Sequence, residues 1–222
     1  MAHLEEMPLF PLHAVLFPYA PMQLHIFEER YREMVRYCTE FDAPFGVVLI
    51  RHGDEVGGSA DPYLVGTAVH IDRVESYDDG KMDVHVHGER RFRVRKIDES
   101  KPYLVGLVEP VTEIECENIN RLDALCIRAQ EVFRLWVETA FAGQEVSVEV
   151  KFPEDPVPMS FLIANYLPID NLTKQRMLET TDTSQRLADL VPLIEAQVDD
   201  ARAGHSLYRV ESTQLVDWIH PN

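Results

Sequence analysis

The chain of 222 residues has only three cysteines, and its 21 lysines and arginines are outnumbered by 38 aspartates and glutamates. An odd number of thiols with no Cys-x-x-Cys spacing fits reduced cysteines in a cytoplasm better than a disulfide framework. The shortage of basic residues leaves a formal net charge of −17. Twelve basic against 21 acidic residues precede Cys116 and nine against 17 run from it onward, so the acidity is no mere tail. A polyanion repels phosphate backbones and anionic lipid, which argues against nucleic-acid and membrane partners. Long apolar runs are also missing: Phe45 to Ile50 is among the longest, far short of a bilayer span. Glu5 and Glu6 stand where a secretory signal needs positive charge, so export is not expected. A hydrophobic share of 45% with 27% charged residues is that of a folded globular chain.

Up to about Glu115 the pattern is that of strands. Phe45 to Ile50 reads as a strand buried on both faces. Val65, Thr67, Val69 and Ile71 alternate, as do Met82, Val84 and Val86, with the hairpin signal Asp79-Gly80 between the two runs. Gly88 interrupts the second run before Phe92 and Val94 resume, which predicts a bulge or barrel corner there. Tyr103, Val105 and Leu107 predict a further strand. One helix is expected over Glu28–Cys38, with Tyr31, Met34, Val35 and Cys38 on one face and Glu28 and Glu29 in its first turn.

From Asn118 the period changes to three and four. Leu122, Leu125, Ala129, Val132, Phe133, Trp136, Val137 and Phe141 mark a long amphipathic helix closed near Gly143. Asp155-Pro156 starts another, which Pro168 stops, and Asp170 caps a short one through Leu178. Asp182 opens a last helix carrying Leu187, Leu190, Ile194 and Val198, with a kink or break expected at Pro192. Strands first and helices afterwards is the order of an α+β protein or of two subdomains.

Motifs for chemistry are mostly missing. A phosphate loop needs GxxxxGK[ST]; the single Gly80-Lys81 pair has Glu75 in the first glycine position and Met82 after the lysine. Neither a GxSxG elbow nor an HExxH helix occurs. Asp83, His85 and His87 share one face of a predicted strand and form a weak metal candidate, the alternative being a solvated hairpin face. Arg90, Arg91, Arg93, Arg95 and Lys96 are either an RNA-binding stripe or the outer face of one strand. Cys38 and Cys126 fall on apolar helix faces, and Cys116 lies between acidic neighbours that oppose thiolate formation. No cofactor and no catalytic residue are assigned.

Several stretches together resemble the N-terminal substrate-binding domain of the Lon (La) ATP-dependent proteases. They are Pro8-Leu9-Phe10-Pro11-Leu12, Val15-Leu16-Phe17-Pro18, Leu24-His25-Ile26-Phe27-Glu28 and Arg30-Tyr31-Arg32-Glu33-Met34-Val35. Val65-Gly66-Thr67 and Arg91-Phe92-Arg93-Val94 continue the pattern, as do Leu167-Pro168, Lys174-Gln175, Leu178-Glu179, Asp182 and Arg186-Leu187. Tyr19 and Gln23 depart from it, standing where the family usually has glycine and proline. The resemblance implies an N-terminal PUA-like antiparallel β-barrel with one or two helices, over residues 1–115. A C-terminal α-helical bundle is expected over 116–204, and a tail over 205–222 docked on the protein through Leu207, Val210, Leu215, Trp218 and Ile219. No ATPase module or Ser-Lys protease module is found up to Asn222, so a stand-alone, non-enzymatic module binding unfolded or partner polypeptides is expected. The competing readings are a PUA-like RNA-binding protein and an unrecognised hydrolase or metal-dependent enzyme. The expected partner-binding residues are Phe17, Tyr19, Met22, Glu28, Glu29 and Arg30: apolar side chains on a proline-bracketed loop, then a charged helix start. Phe27 and Tyr31 are expected to close one end of the barrel.

Overall fold

A computed structural model describes residues 4–57, 60–142 and 150–203. Seven strands are present among them: β1 (Glu5–Leu12), β2 (Pro21–Ile26), β3 (Phe45–His52), β4 (Asp61–Pro62), β5 (Val65–Ser76), β6 (Met82–Asp98) and β7 (Val105–Pro110). Five helices accompany them: α1 (Glu29–Phe41), α2 (Ile119–Ala140), α3 (Pro156–Tyr166), α4 (Asn171–Glu179) and α5 (Thr183–Arg202). The fold is α+β. Its residues fall into two compact units, one of 1–112 with Asn171–Glu179 and one of 113–170 with the chain from Thr180.

In the first unit the hydrogen-bonded path runs β1-β7-β6-β5-β3-β4, and β1 also pairs with β3, so the path returns to its first strand. Every pairing is antiparallel except β1 with β3. Asp79-Gly80 turns β5 into β6, with Gly80 at φ 82 and its N–H donating to the Tyr77 carbonyl. Next to Gly88 the ladder slips: Val69 faces Gly88 and Ala68 faces Arg90, leaving Glu89 as the extra residue of a bulge. Gly88 itself must lack a side chain, because a Cβ there would lie 2.3 Å from the Phe17 carbonyl oxygen. The interior is filled by Met7, Leu9, Val48, Ala68, Phe92, Val94 and Val108.

The helix α4 sits among the later helices in the chain yet belongs to the first unit. Gln175 donates to the Val65 carbonyl (2.9 Å), Arg91 to the Leu178 carbonyl (2.7 Å) and Asn171 to the His13 carbonyl (2.5 Å). Residues 116–204 are therefore not one packing unit. Arg91 and Gln175, both buried, satisfy backbone carbonyls that nothing local could reach.

In the second unit α2 buries Ala129, Val132, Phe133, Trp136 and Val137. Asp155 caps α3 by accepting the Val157 N–H, and Asp182 caps α5 by accepting from Ser184 and Gln185. The expected interruption at Pro192 does not divide α5, which is helical from Thr183 to Arg202. An interior proline costs about 3 kcal/mol. Leu187, Leu190, Ile194 and Val198, all buried on either side of it, each return about 1.5–3 kcal/mol, which outweighs that cost. No described helix is long and apolar enough to cross a membrane. Gly143 and the apolar tail residues Leu207 to Ile219 lie outside the described residues.

Candidate functional site

The strand β5 occupies one edge of β6 along Met82–Arg93. The opposite edge is shared: β7 takes it from Phe92 onward, and β2 takes Met82–His87. The strand β1 bonds to β7 only through Glu5–Pro8 and then turns to β3 through Leu9–Leu12. Phe10–Leu12 and β2 consequently face each other without a ladder between them. A groove of about 330 Å³ lies there. This is within the usual range for a ligand pocket, at its small end.

Phe10, Leu24, Ile26 and Tyr31 supply buried apolar lining, with the Phe10 and Tyr31 rings edge to face at 4.4 Å. Phe27 and Val56 stand at the rim, 44% and 56% exposed. Glu28 and Glu55 are the lining carboxylates, and among the described residues no lysine or arginine lines the groove. Glu28 is the residue before α1, but its side chain does not cap that helix. It accepts instead from the Gly57 N–H (3.1 Å) and pairs with Arg30 (3.2 Å). Arg30 in turn donates to the Glu55 carbonyl (3.1 Å) and lies 4.5 Å from the Tyr31 ring centre. The Glu55 carboxylate accepts the His13 N–H. The helix start and the segment 53–57 are thus tied together, which holds the rim. Burial pushes the Tyr31 hydroxyl up from its ordinary range, and the ring serves here as apolar lining.

Of the six expected partner-binding residues, Met22 and Glu28 line the groove. Phe17 is a correction: it is 0% exposed and belongs to the core, with its backbone carbonyl held against Gly88 of β6. Tyr19 is 46% exposed but outside the groove. Glu29 is exposed and pairs with Arg32 and Arg36, and Arg30 braces the rim without lining it. Phe27, expected to close one end of the barrel, is exposed. Phe10, Glu55 and Val56 carried no signal in the sequence, since their proximity to β2 arises only from the pairing of distant strands.

Tyr19 has φ 68, a left-handed conformation that costs a non-glycine residue about 1–2 kcal/mol. Glycine removes that cost but loses about 0.5–1 kcal/mol through the freer unfolded chain. Tyr19→Gly is therefore expected to stabilise the chain by up to about 1 kcal/mol in urea denaturation. A loss of stability would mean that the Tyr19 ring contributes more than its backbone costs.

The metal candidate is dispersed. Asp83 accepts from His25 (2.6 Å), Tyr77 (2.7 Å) and Gln23 (3.3 Å), and these bonds, His25 first, hold its carboxyl below the usual carboxylate range. His85 faces Arg73 and Glu75, while His87 pairs with Asp72 (2.7 Å). Among the described residues no group of three or more such side chains could hold an ion. Three of the five residues of the basic cluster are taken up: Arg90 pairs with Glu5, Arg95 with Glu109, and Arg91 is buried. Cys38 is buried and its thiol pushed up to about 12, and burial also raises Cys126, so neither is an activated nucleophile.

What these residues assemble is an apolar groove beside an open strand edge, on an α+β scaffold. A family model described as the ATP-dependent protease La (LON) substrate-binding domain matches residues 6–196, and the chain belongs to that family. It is 27% identical to the Lon protease of Syntrophus aciditrophicus over 91% of this chain, and 27% identical to Lon protease 2 of Myxococcus xanthus over 86%. These matches cover 26% and 23% of the respective relatives, so the chain spans about a quarter of their length. The crystal structure of a Lon N-terminal domain protein from Xanthomonas campestris superposes with a TM-score of 0.62 at 28% identity, covering 85% of this chain and 98% of that one. The N-terminal domain of a Mycobacterium avium complex Lon protease shares the fold, with a TM-score of 0.67 at 18% identity over 86% and 98%.

Proposed function

We propose that this chain is a non-enzymatic polypeptide-binding module whose groove between β1 and β2 captures apolar segments of unfolded or partner proteins. The observation that carries the reading is the exposed pair Phe27 and Val56 at the rim of an apolar-lined groove. Membership of the Lon substrate-binding-domain family supports the same direction. The closed strand path is read as a PUA-like barrel and the helices of the second unit as a bundle. Three free cysteines support a cytoplasmic setting, and the net charge of −17 disfavours RNA and anionic membranes as partners.

The double variant Phe27→Ser with Val56→Ser removes apolar area that is already in water, so its stability should stay within about 1 kcal/mol of wild type. Affinity for a permanently unfolded, reduced polypeptide should fall on the order of tenfold or more, because each side chain covered by a bound segment is worth up to about 1.5–3 kcal/mol. Fluorescence anisotropy with the labelled polypeptide reads this directly. Undiminished binding by the folded double variant would place the capture surface elsewhere.

A further inference from the structure

In an antiparallel ladder, alternate residues turn their N–H and C=O groups towards the partner strand and the others turn them away. The Gly88 N–H donates to the Ala20 carbonyl (2.9 Å), and the register continues from Pro21 opposite His87 to Ile26 opposite Met82. Counting from Ala20, the residues Met22, Leu24 and Ile26 address β6, while Gln23 and His25 present their backbone groups to the other edge. Among the described residues no strand pairs with that edge. It borders the groove, so a chain lying along it could place every second side chain over the apolar lining.

Charge narrows what that chain would be. Glu28 and Glu55 are the carboxylates of the lining, and among the described residues no lysine or arginine lines the groove, Arg30 standing behind Glu28. Arg30 offsets Glu28, whereas the Glu55 carboxylate takes a backbone N–H and has no cation partner among the described residues. The whole molecule, at −17, attracts cations to this rim.

We infer that the occupant is an extended segment with apolar residues at alternate positions flanked by lysine or arginine, and that it binds by adding a strand to β2 through the backbone groups of Gln23 and His25. This rests on the polypeptide-binding reading and specifies its geometry and sequence preference. Pro21, of the same parity as Gln23, already stands on this edge without an N–H, so the edge tolerates proline there.

The test uses the full chain and a short labelled peptide of alternating leucine and serine with lysines at both ends. Two further peptides carry N-methyl groups on one or the other alternate set of amides, and a fourth replaces the lysines by glutamates. One methylated set is expected to weaken binding about tenfold or more while the other does not, since only one set can face β2. Gln23→Pro, which removes the N–H that would face the peptide, should weaken the unmodified peptide about tenfold. The glutamate-flanked peptide should bind more weakly, by a margin that shrinks as salt is raised. If both methylated sets and Gln23→Pro bind like their parents, strand addition is overturned while the groove stands. Equal affinity for lysine and glutamate flanks overturns the basic preference. Absence of binding by all the peptides, together with undiminished capture of unfolded polypeptide by the Phe27→Ser and Val56→Ser double variant, overturns the groove itself. Should Gln23→Pro fail to fold by circular dichroism, the methylated peptides on the wild-type chain decide.

Discussion

Phe17→Ala is expected to cost about 3–5 kcal/mol, the range for emptying a fully buried aromatic site. Phe17 has no exposed surface, and its carbonyl accepts the Ala20 N–H at 3.3 Å in the turn that feeds β2. The Phe17 backbone is pinned against Gly88 of β6, so the turn has little freedom to collapse into the space left by the ring. In a chain of this length each kcal/mol moves the melting temperature by about 2–4 °C, so a fall on the order of 10 °C should be seen by circular dichroism. A loss below about 1 kcal/mol would return Phe17 to the surface. The contrast with Tyr19, two residues on and half exposed, is itself diagnostic: Tyr19→Gly should move stability the other way.

Arg186→Met should be comparably destabilising, by about 3–5 kcal/mol. Arg186 is fully buried in the second unit, and its guanidinium donates to the Ser160 hydroxyl (2.8 Å), the Thr180 carbonyl (2.6 Å) and the Thr183 hydroxyl (3.0 Å). It also pairs with Glu113 at 3.3 Å and stacks over the Phe161 ring at 4.1 Å. Methionine fills much of the volume, but the Ser160 and Thr183 hydroxyls and the Thr180 carbonyl each lose a donor, and the Glu113 carboxylate loses its cation. Leaving such groups unmatched costs more than the net gain of having paired them. Arg186→Met combined with Glu113→Gln should recover part of the loss, because the stranded charge is gone. Urea denaturation of the four species in that cycle measures the coupling, and additive single effects would show that the pair is not what makes Arg186 costly to remove.

The chain itself determined its element types, its α+β class and its family likeness, because each is written locally. Alternation marks β5 and β6 on either side of Asp79-Gly80, the three-and-four period marks α2, and Asp155 and Asp182 announce their helices by capping chemistry. Only the tertiary structure decided which apolar residues of the Phe17–Tyr31 segment are inside. A turn has no periodicity, so nothing local separates Phe17 from Phe27; the fold buries the first completely and leaves the second, just past the end of β2, exposed. The assignment of α4 to the strands was equally hidden, since it depends on the Val65 and Leu178 carbonyls finding donors on Gln175 and Arg91, each more than 80 residues away in sequence. The groove is the extreme case. It exists because β1 changes partner at Leu9 and β2, among the described strands, pairs with β6 alone and keeps its other edge open, and strand order is set by long-range pairing that residue spacing does not encode.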